Sequence, residues 1–180
     1  MDPKIYRTKQ LSLLTDQIGV YALCDLDSVP IYVGQSVDGI RTRVRRHLSS
    51  ARSDIIANRQ IDVWEIAFVW AWPVEFTHQI GALEAHLFAE FDAVVPLMNG
   101  KSMRAIDPLP FAAPPKQQVQ VIEESERLDR LSPSQRLPRQ IMQYLNLVDY
   151  IQTVKDENHL KRSLRAHFDR LVSYHKRFLD

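Results

Sequence analysis

The sequence predicts an α/β (α+β) protein in which a small antiparallel sheet is flanked by helices and followed by an all-helical C-terminal appendage. Two short runs rich in β-branched and aromatic residues lie close together near the N-terminus, as the strands of a hairpin do. Segments with apolar residues at helical spacing follow them. Four prolines within residues 107–116 then separate this part from a C-terminal region whose apolar residues also recur at helical spacing.

The composition is that of a globular protein, with 45% hydrophobic and 25% charged residues. These fractions exclude a mostly disordered or collagen-like chain, and no apolar run reaches the roughly 20 residues of a membrane-spanning helix. The first residues, 1–17, lack the apolar stretch of a secretion signal. The single cysteine, Cys24, is expected to pack in the core, and we expect a cytoplasmic protein with no membrane partner.

The strands are predicted from short apolar runs that end at turn residues. Residues 18–25 and 30–34 are expected to pair as a hairpin, with Pro30 at the start of its second strand. Residues 61–72 are too aromatic and β-branched for a comfortable helix, and Pro73 ends the run. We expect this third segment to be a central strand.

Two helices are predicted in the same part of the chain. The first covers residues 40–52, with Asp38 as its N-cap, and the second covers residues 75–92, with Thr77 as its cap. The apolar positions of each share one helical face. They are Ile40, Val44 and Leu48 in the first helix, and Phe76, Ile80, Leu83, Leu87 and Phe91 in the second. The predicted order is therefore β-β-α-β-α.

We predict a two-part organisation, with a first domain at residues 1–106, a Pro-rich linker at 107–116 and a helical appendage at 117–180. The helices of the appendage are expected at residues 118–131, 134–155 and 157–179. The last two show apolar stripes that fit an antiparallel hairpin, packed either on the first domain or on a second subunit. A homodimer through these helices is one expectation.

The net charge of +1 hides two basic segments. Residues 41–46 contain four arginines in six positions, and residues 161–177 contain six Lys or Arg against one Asp. Such clusters are typical of nucleic-acid contacts, although a solvated basic face gives the same pattern.

Two tyrosines in the predicted hairpin share one face in one register only. If Tyr21 lies opposite Gly34, then Tyr32 lies opposite Leu23, and both phenols point to the same side of the sheet. Gly34 would allow a close approach where the strand leads into the next helix. Ordinary aromatic packing is the alternative interpretation.

Four polar residues downstream are candidates for chemistry. Arg43 and His47 are spaced i, i+4 and so lie on one helical face. Glu84 is at the edge of the apolar face of its helix, where a carboxylate is costly unless it is paired or bound to a cation. Asn99 precedes a glycine. Each also has a structural interpretation: a solvated cation, a solvated carboxylate or a turn residue.

Taken in order, these residues resemble the GIY-YIG nuclease superfamily over roughly residues 17–102. The resemblance rests on Gly19-Val20-Tyr21, a gap of ten residues, Tyr32-Val33-Gly34, Arg43 with His47, Glu84 and Asn99. Valine replaces isoleucine in both triplets. The stretch between Gly34 and Arg43 is about one residue longer than in repair-type relatives, which makes Arg41 a second candidate for the catalytic arginine.

The resemblance implies a metal-dependent DNA endonuclease. It implies that Glu84 holds one Mg²⁺ or Mn²⁺ ion and that Arg43 binds the scissile phosphate. Tyr21 would be the general base and Tyr32 would share its proton network, with the two tyrosine roles interchangeable. His47 would position water or phosphate.

Further residues follow from the same resemblance. Asn99 would be a hydrogen-bonding partner behind the catalytic groups, and Gly19 and Gly34 would be structural positions of the motif. Arg41, Arg45, Arg46 and Arg52 are expected to contact the DNA backbone.

Several functions remain open at this point. A restriction-type or defence-related enzyme is the main expectation. The alternatives are a repair, structure-selective or mobile-element nuclease, RNA as the substrate, and a non-catalytic nucleic-acid-binding module.

Overall fold

A four-stranded antiparallel sheet forms the centre of the fold in a computed structural model that describes residues 2–49 and 57–180. The strand order is β2-β1-β3-β4. The strands are β1 Gly19–Cys24, β2 Pro30–Ser36, β3 Phe68–Pro73 and β4 Gln117–Gln120. The predicted hairpin, β1 and β2, is confirmed.

The described residues form six α-helices, and two short 3₁₀ turns at Val63–Glu65 and Thr77–Gln79. The helices are α1 Pro3–Leu11, α2 Ile40–Ser49, α3 Ile80–Asp92, α4 Glu124–Leu131, α5 Pro133–Thr153 and α6 Asn158–Leu179. The predicted α/β class with a helical C-terminal part is confirmed. Within the described ranges, no helix has the length and apolar content needed to cross a membrane.

The sheet separates two hydrophobic cores because side chains alternate along β1. Tyr21 and Leu23 face one core, which α1 and α2 cover with residues such as Ile40 and Val44. The neighbouring positions of β1, Cys24 among them, face the other core, which α3 covers. The predicted burial of Cys24 is confirmed.

The prediction that the chain is entirely helical after the Pro-rich segment is wrong at residues 117–120. This segment is β4, and Val119 pairs with Val69 of β3. Val119 and Val121 are buried and alternate with glutamines, which is the period of a strand rather than a helix. The amide of Gln117 also bonds the backbone of Leu13 and Thr15, which fixes this edge strand to the N-terminal part of the chain.

Other predicted boundaries also shift. The strand predicted at 61–72 begins at Phe68, because the Asp62 side chain accepts a hydrogen bond from Trp64 N and starts a 3₁₀ turn. Thr77 lies inside the second 3₁₀ turn and does not cap α3. For α2, the carboxylate that bonds a first-turn amide is Asp16, which accepts from Thr42 N at 3.0 Å, and the expected cap Asp38 is not used in this way.

The predicted antiparallel hairpin of α5 and α6 packs on its own chain, which is one of the two alternatives that the sequence left open. The contact is polar and buried. Arg136 of α5, 2% exposed, donates to Glu65 and Asp27 and stacks on Tyr174 of α6. Arg170 of α6 pairs with the buried Asp25. These ion pairs fix the hairpin relative to the sheet.

Replacement of Arg136 by alanine is expected to lower the free energy of unfolding by about 3 to 5 kcal/mol, because the buried carboxylates of Glu65 and Asp25 would lose a partner. Urea unfolding measures this change. Arg177→Ala is the matched control, since the ion pair of Arg177 with Asp27 is exposed and worth only about 0.2 to 1 kcal/mol. Equal effects of the two variants would contradict the structural role of the buried pair.

Candidate active site

The hairpin register brings the two tyrosines together. Tyr21 lies opposite Gly34 and Leu23 opposite Tyr32, so both phenols point to the α2 side of the sheet, with ring centroids 6.4 Å apart. A Cβ atom at Gly34 would lie 2.6 Å from the Tyr21 hydroxyl, so a side chain larger than hydrogen would displace that hydroxyl. The predicted register and the close approach at Gly34 are confirmed.

Gly19 begins β1 with a positive backbone φ angle that residues other than glycine rarely adopt. Its φ is +151°, and a Cβ atom there would collide with the carbonyl oxygen of Trp72 in β3. The first glycine of the motif therefore permits the close pairing of β1 with β3.

The Tyr21 hydroxyl bonds Nε2 of His47 at 2.8 Å. Both side chains are buried, and Tyr21 is 0% exposed. Burial raises the pKa of Tyr21 well above its ordinary value, and the nearby Tyr32 acts in the same direction. The Arg43 guanidinium beside it acts in the opposite direction. The His47 ring also lies 5.9 Å from the Tyr32 ring, so the three side chains form one cluster.

Arg43 and Arg41 project from α2 to different surroundings. Arg43 is close enough to Tyr21 to affect its pKa, and its Nε is buried without a hydrogen-bond partner in the described ranges. Arg41 instead faces Asp16, with Nε 3.7 Å from its carboxylate, and Nη1 bonds the Ser12 carbonyl. Arg43 rather than Arg41 therefore lies at the tyrosine cluster.

Glu84 lies near the middle of α3 and is 8% exposed. None of the described residues gives its carboxylate a hydrogen bond or an ion pair. Burial raises its pKa from 4.5 to about 6. The described residues contain no cluster of three or more His, Cys, Asp or Glu side chains arranged for a metal ion. A metal at this site would therefore be held by fewer than three such side chains of the described residues, and Glu84 is the candidate ligand.

Asn99 holds the second motif strand in place. Its Nδ2 donates to Val33 O at 2.6 Å and its Oδ1 accepts from Val33 N at 3.0 Å. Both ends of the amide are thus engaged with the backbone next to Tyr32. Asn99 supports the strand that carries Tyr32.

A cleft of about 640 Å³ joins these elements, and we call it the Glu84 cleft. Tyr32, Glu84 and Asn99 line it, whereas Tyr21, Arg43 and His47 do not. Its other lining residues include Lys101, Lys155, Glu157 and His159, which the sequence did not single out as site residues. No local pattern identifies them, since they come from two segments about fifty residues apart and meet only through the packing of α6.

The remaining predicted basic residues are on or after α2. Arg45 and Arg46 are exposed on this helix, where a polyanion can reach them. Arg52 lies outside the described residues. The DNA contacts of all four arginines, Arg41 included, stay a prediction.

Residues 17–93 match the family model of the GIY-YIG catalytic domain. Neither the curated proteins nor the solved structures contain a match to the chain. The matched segment runs from just before β1 to just after α3. It therefore includes both tyrosines, Arg43 and Glu84, but neither Asn99 nor the C-terminal helices.

Proposed function

We propose that the chain, whose residues 17–93 match the GIY-YIG catalytic domain, is an endonuclease of that superfamily and hydrolyses DNA phosphodiester bonds with one divalent ion bound by Glu84. The observation that carries the metal assignment is the carboxylate of Glu84, which is buried, unpaired among the described residues and open to the Glu84 cleft. Burial of an unpaired carboxylate costs free energy, and a bound cation would offset that cost.

The donor set fits Mg²⁺ or Mn²⁺. Mg²⁺ keeps several waters and takes one or two carboxylates together with substrate phosphates, so a single glutamate is sufficient. The cleft has room for those waters and for a phosphate. When bound, the ion supplies positive charge at the reacting phosphate and at the departing oxygen.

Arg43 is proposed to bind the non-bridging oxygens of the scissile phosphate. Its guanidinium is a permanent cation with a forked donor geometry that matches phosphate. Its guanidinium lies beside the Tyr21 hydroxyl, which places it at the tyrosine cluster. Arg43 would thus stabilise the charge that develops as the phosphorus–oxygen bond breaks.

The tyrosines are proposed to have unequal roles. Tyr32 lines the Glu84 cleft, whereas the Tyr21 hydroxyl is buried behind it and bonded to His47. This arrangement favours Tyr32 as the group that contacts the attacking water, which is the exchanged assignment that the sequence left open. His47 and Tyr21, which are bonded to each other and whose rings contact that of Tyr32, would then hold Tyr32 in position.

Acidification is expected to reduce cleavage below a pH of about 6, because metal binding requires the ionised form of Glu84 and folding raises its pKa to about 6. The contribution of Glu84 to the free energy of unfolding should instead increase on acidification. The native state binds more protons than the unfolded state between pH 4.5 and about 6, so stability falls as pH rises through this window. Mn²⁺ titration measures metal affinity and thermal unfolding measures stability, each across pH 5 to 8. A Mn²⁺ affinity that stays constant down to pH 5 would contradict the assignment of Glu84 as the metal ligand.

A restriction-type or defence-related role is proposed as the finer function, on the family resemblance of a compact nuclease. The test is incubation with a long mixed-sequence duplex in Mg²⁺. Discrete fragments are expected; a smear or cutting only at junctions would favour the repair, structure-selective or mobile-element alternatives. Binding without any cleavage would favour the non-catalytic module.

A homodimer through α5 and α6 and a cytoplasmic location also stay predictions. The faces of these helices that turn away from the sheet carry exposed apolar side chains, which would support self-association. They include Ile141, Leu145, Phe168 and Val172. Light scattering of the purified chain distinguishes a monomer from a dimer.

A further inference from the structure

The C-terminal hairpin contributes to the lining of the Glu84 cleft. The turn between α5 and α6 carries Lys155 and Glu157, and the first turn of α6 carries His159. All three line the cleft together with Lys101. These residues lie outside the segment that matches the catalytic domain, yet they are next to its candidate metal ligand.

Close packing holds this part of the hairpin against the chain after α3. A Cβ atom at Gly100 would lie 2.8 Å from Cβ of His159, so the glycine permits direct contact of the two segments. Arg162 of α6 donates to the Asn99 carbonyl at 3.1 Å and to Asp92 at 2.7 Å. The position of the turn is therefore coupled to Asn99, whose amide supports the strand that carries Tyr32.

One carboxylate contacts two basic side chains at the turn between α5 and α6. Glu157 contacts Lys155 Nζ at 3.0 Å with one oxygen and His159 Nδ1 at 2.8 Å with the other. Lys101, which is exposed, places a second ammonium group at the same cleft. Two ammonium groups thus line a cleft whose proposed substrate carries one negative charge per phosphate.

We infer that Lys101 and Lys155 bind backbone phosphates of the DNA strand that is cut, with Glu157 and His159 positioning Lys155. The inference rests on the proposed function, and it makes the C-terminal hairpin part of the substrate site of its own chain. Contacts of this kind orient the strand in the cleft and carry no sequence information.

The test is DNA binding by the full chain with Lys101→Ala and Lys155→Ala combined, measured by fluorescence anisotropy on a short labelled duplex. EDTA in the buffer removes the metal, so the measurement does not depend on cleavage. The loss of two phosphate contacts is expected to weaken binding about tenfold at low salt and to reduce the salt slope by about 1.8, or about 0.9 per contact. The matched control combines Lys4→Ala and Lys9→Ala, two exposed lysines that neither line the cleft nor belong to the two basic segments.

An affinity and salt slope equal to those of the wild type would overturn the inference, as would an equal loss in the control. Thermal unfolding of both double variants should match the wild type, because all four lysines are exposed. In Mg²⁺, we expect a raised KM with little change in kcat. A wild type that binds the duplex but does not cut it would overturn the proposed function and leave the binding comparison valid.

Discussion

Glu84→Gln is expected to abolish DNA cleavage and, in the absence of metal, to stabilise the protein. The raised pKa of Glu84, about 6 against 4.5, means that keeping this carboxylate ionised at pH 7.5 costs the native state free energy, on the order of 1 kcal/mol once screening by water in the cleft is included. Glutamine removes the charge with little change in shape, so the free energy of unfolding should rise by about that amount. Cleavage in Mg²⁺ should fall by about 10³-fold or more, since a bound ion contributes several kcal/mol.

Glu90→Gln is the matched control, because Glu90 lies on the same helix and is 58% exposed. It should alter stability by no more than about 0.5 kcal/mol and leave cleavage unchanged. Chemical denaturation in EDTA and cleavage under single-turnover conditions measure the two effects. A destabilised Glu84→Gln variant, or one with normal Mn²⁺ affinity, would contradict the metal assignment.

Arg43→Ala is expected to slow cleavage by about 10² to 10³-fold at saturating DNA, as the loss of one donor to a developing charge does in other enzymes. Arg43→Lys should restore little activity, because an ammonium group lacks the forked geometry of guanidinium. Single-turnover rates measure the effect on kcat.

Arg45→Ala is the comparison for Arg43, since Arg45 is exposed on the same helix two residues later. It should weaken DNA binding and reduce the salt slope by about 0.9 without lowering kcat. Equal losses of kcat in both variants would show that α2 acts only through its overall charge. A loss confined to Arg41→Ala would instead favour the second arginine candidate.

The hairpin of β1 and β2 could be predicted from the sequence because it depends on residues that are close together in the chain. Tyr21, Tyr32 and Gly34 fix one another: the period of two places both phenols on one face, and only glycine leaves room for the Tyr21 hydroxyl. The helical spacing of Ile40 and Val44 likewise determines which face of α2 is buried and where Arg43 emerges.

Features that depend on distant contacts could not be predicted in this way. Asp16, and not Asp38, bonds the first turn of α2. Asp16 precedes β1, and the β1–β2 hairpin brings the start of α2 back beside it, so no local spacing in the sequence reveals this contact. The burial of Glu65 against Arg136 joins residues about seventy positions apart. The four-residue strand β4 is too short for its alternation to outweigh the helical pattern after it.

The lining of the Glu84 cleft is the clearest case of this limit. Motif order identifies Glu84 and Tyr32, but Lys155 lines the same cleft only because α6 packs against Asn99 and Gly100. Its own sequence neighbourhood resembles an ordinary helix–helix turn. Tertiary packing, and not the motif, decides which cations face the substrate.

Nicking of a supercoiled plasmid in Mg²⁺ by the wild type and by Glu84→Gln, purified in parallel, tests the central claim most directly. A contaminating nuclease would give the same signal in both preparations, so only the difference between them reports the Glu84 cleft. We predict that the wild type converts the plasmid to nicked and linear forms, and that Glu84→Gln binds it and leaves it supercoiled. Equal nicking by the two proteins, or binding without nicking by the wild type, would contradict the assignment of this cleft as the nuclease active site.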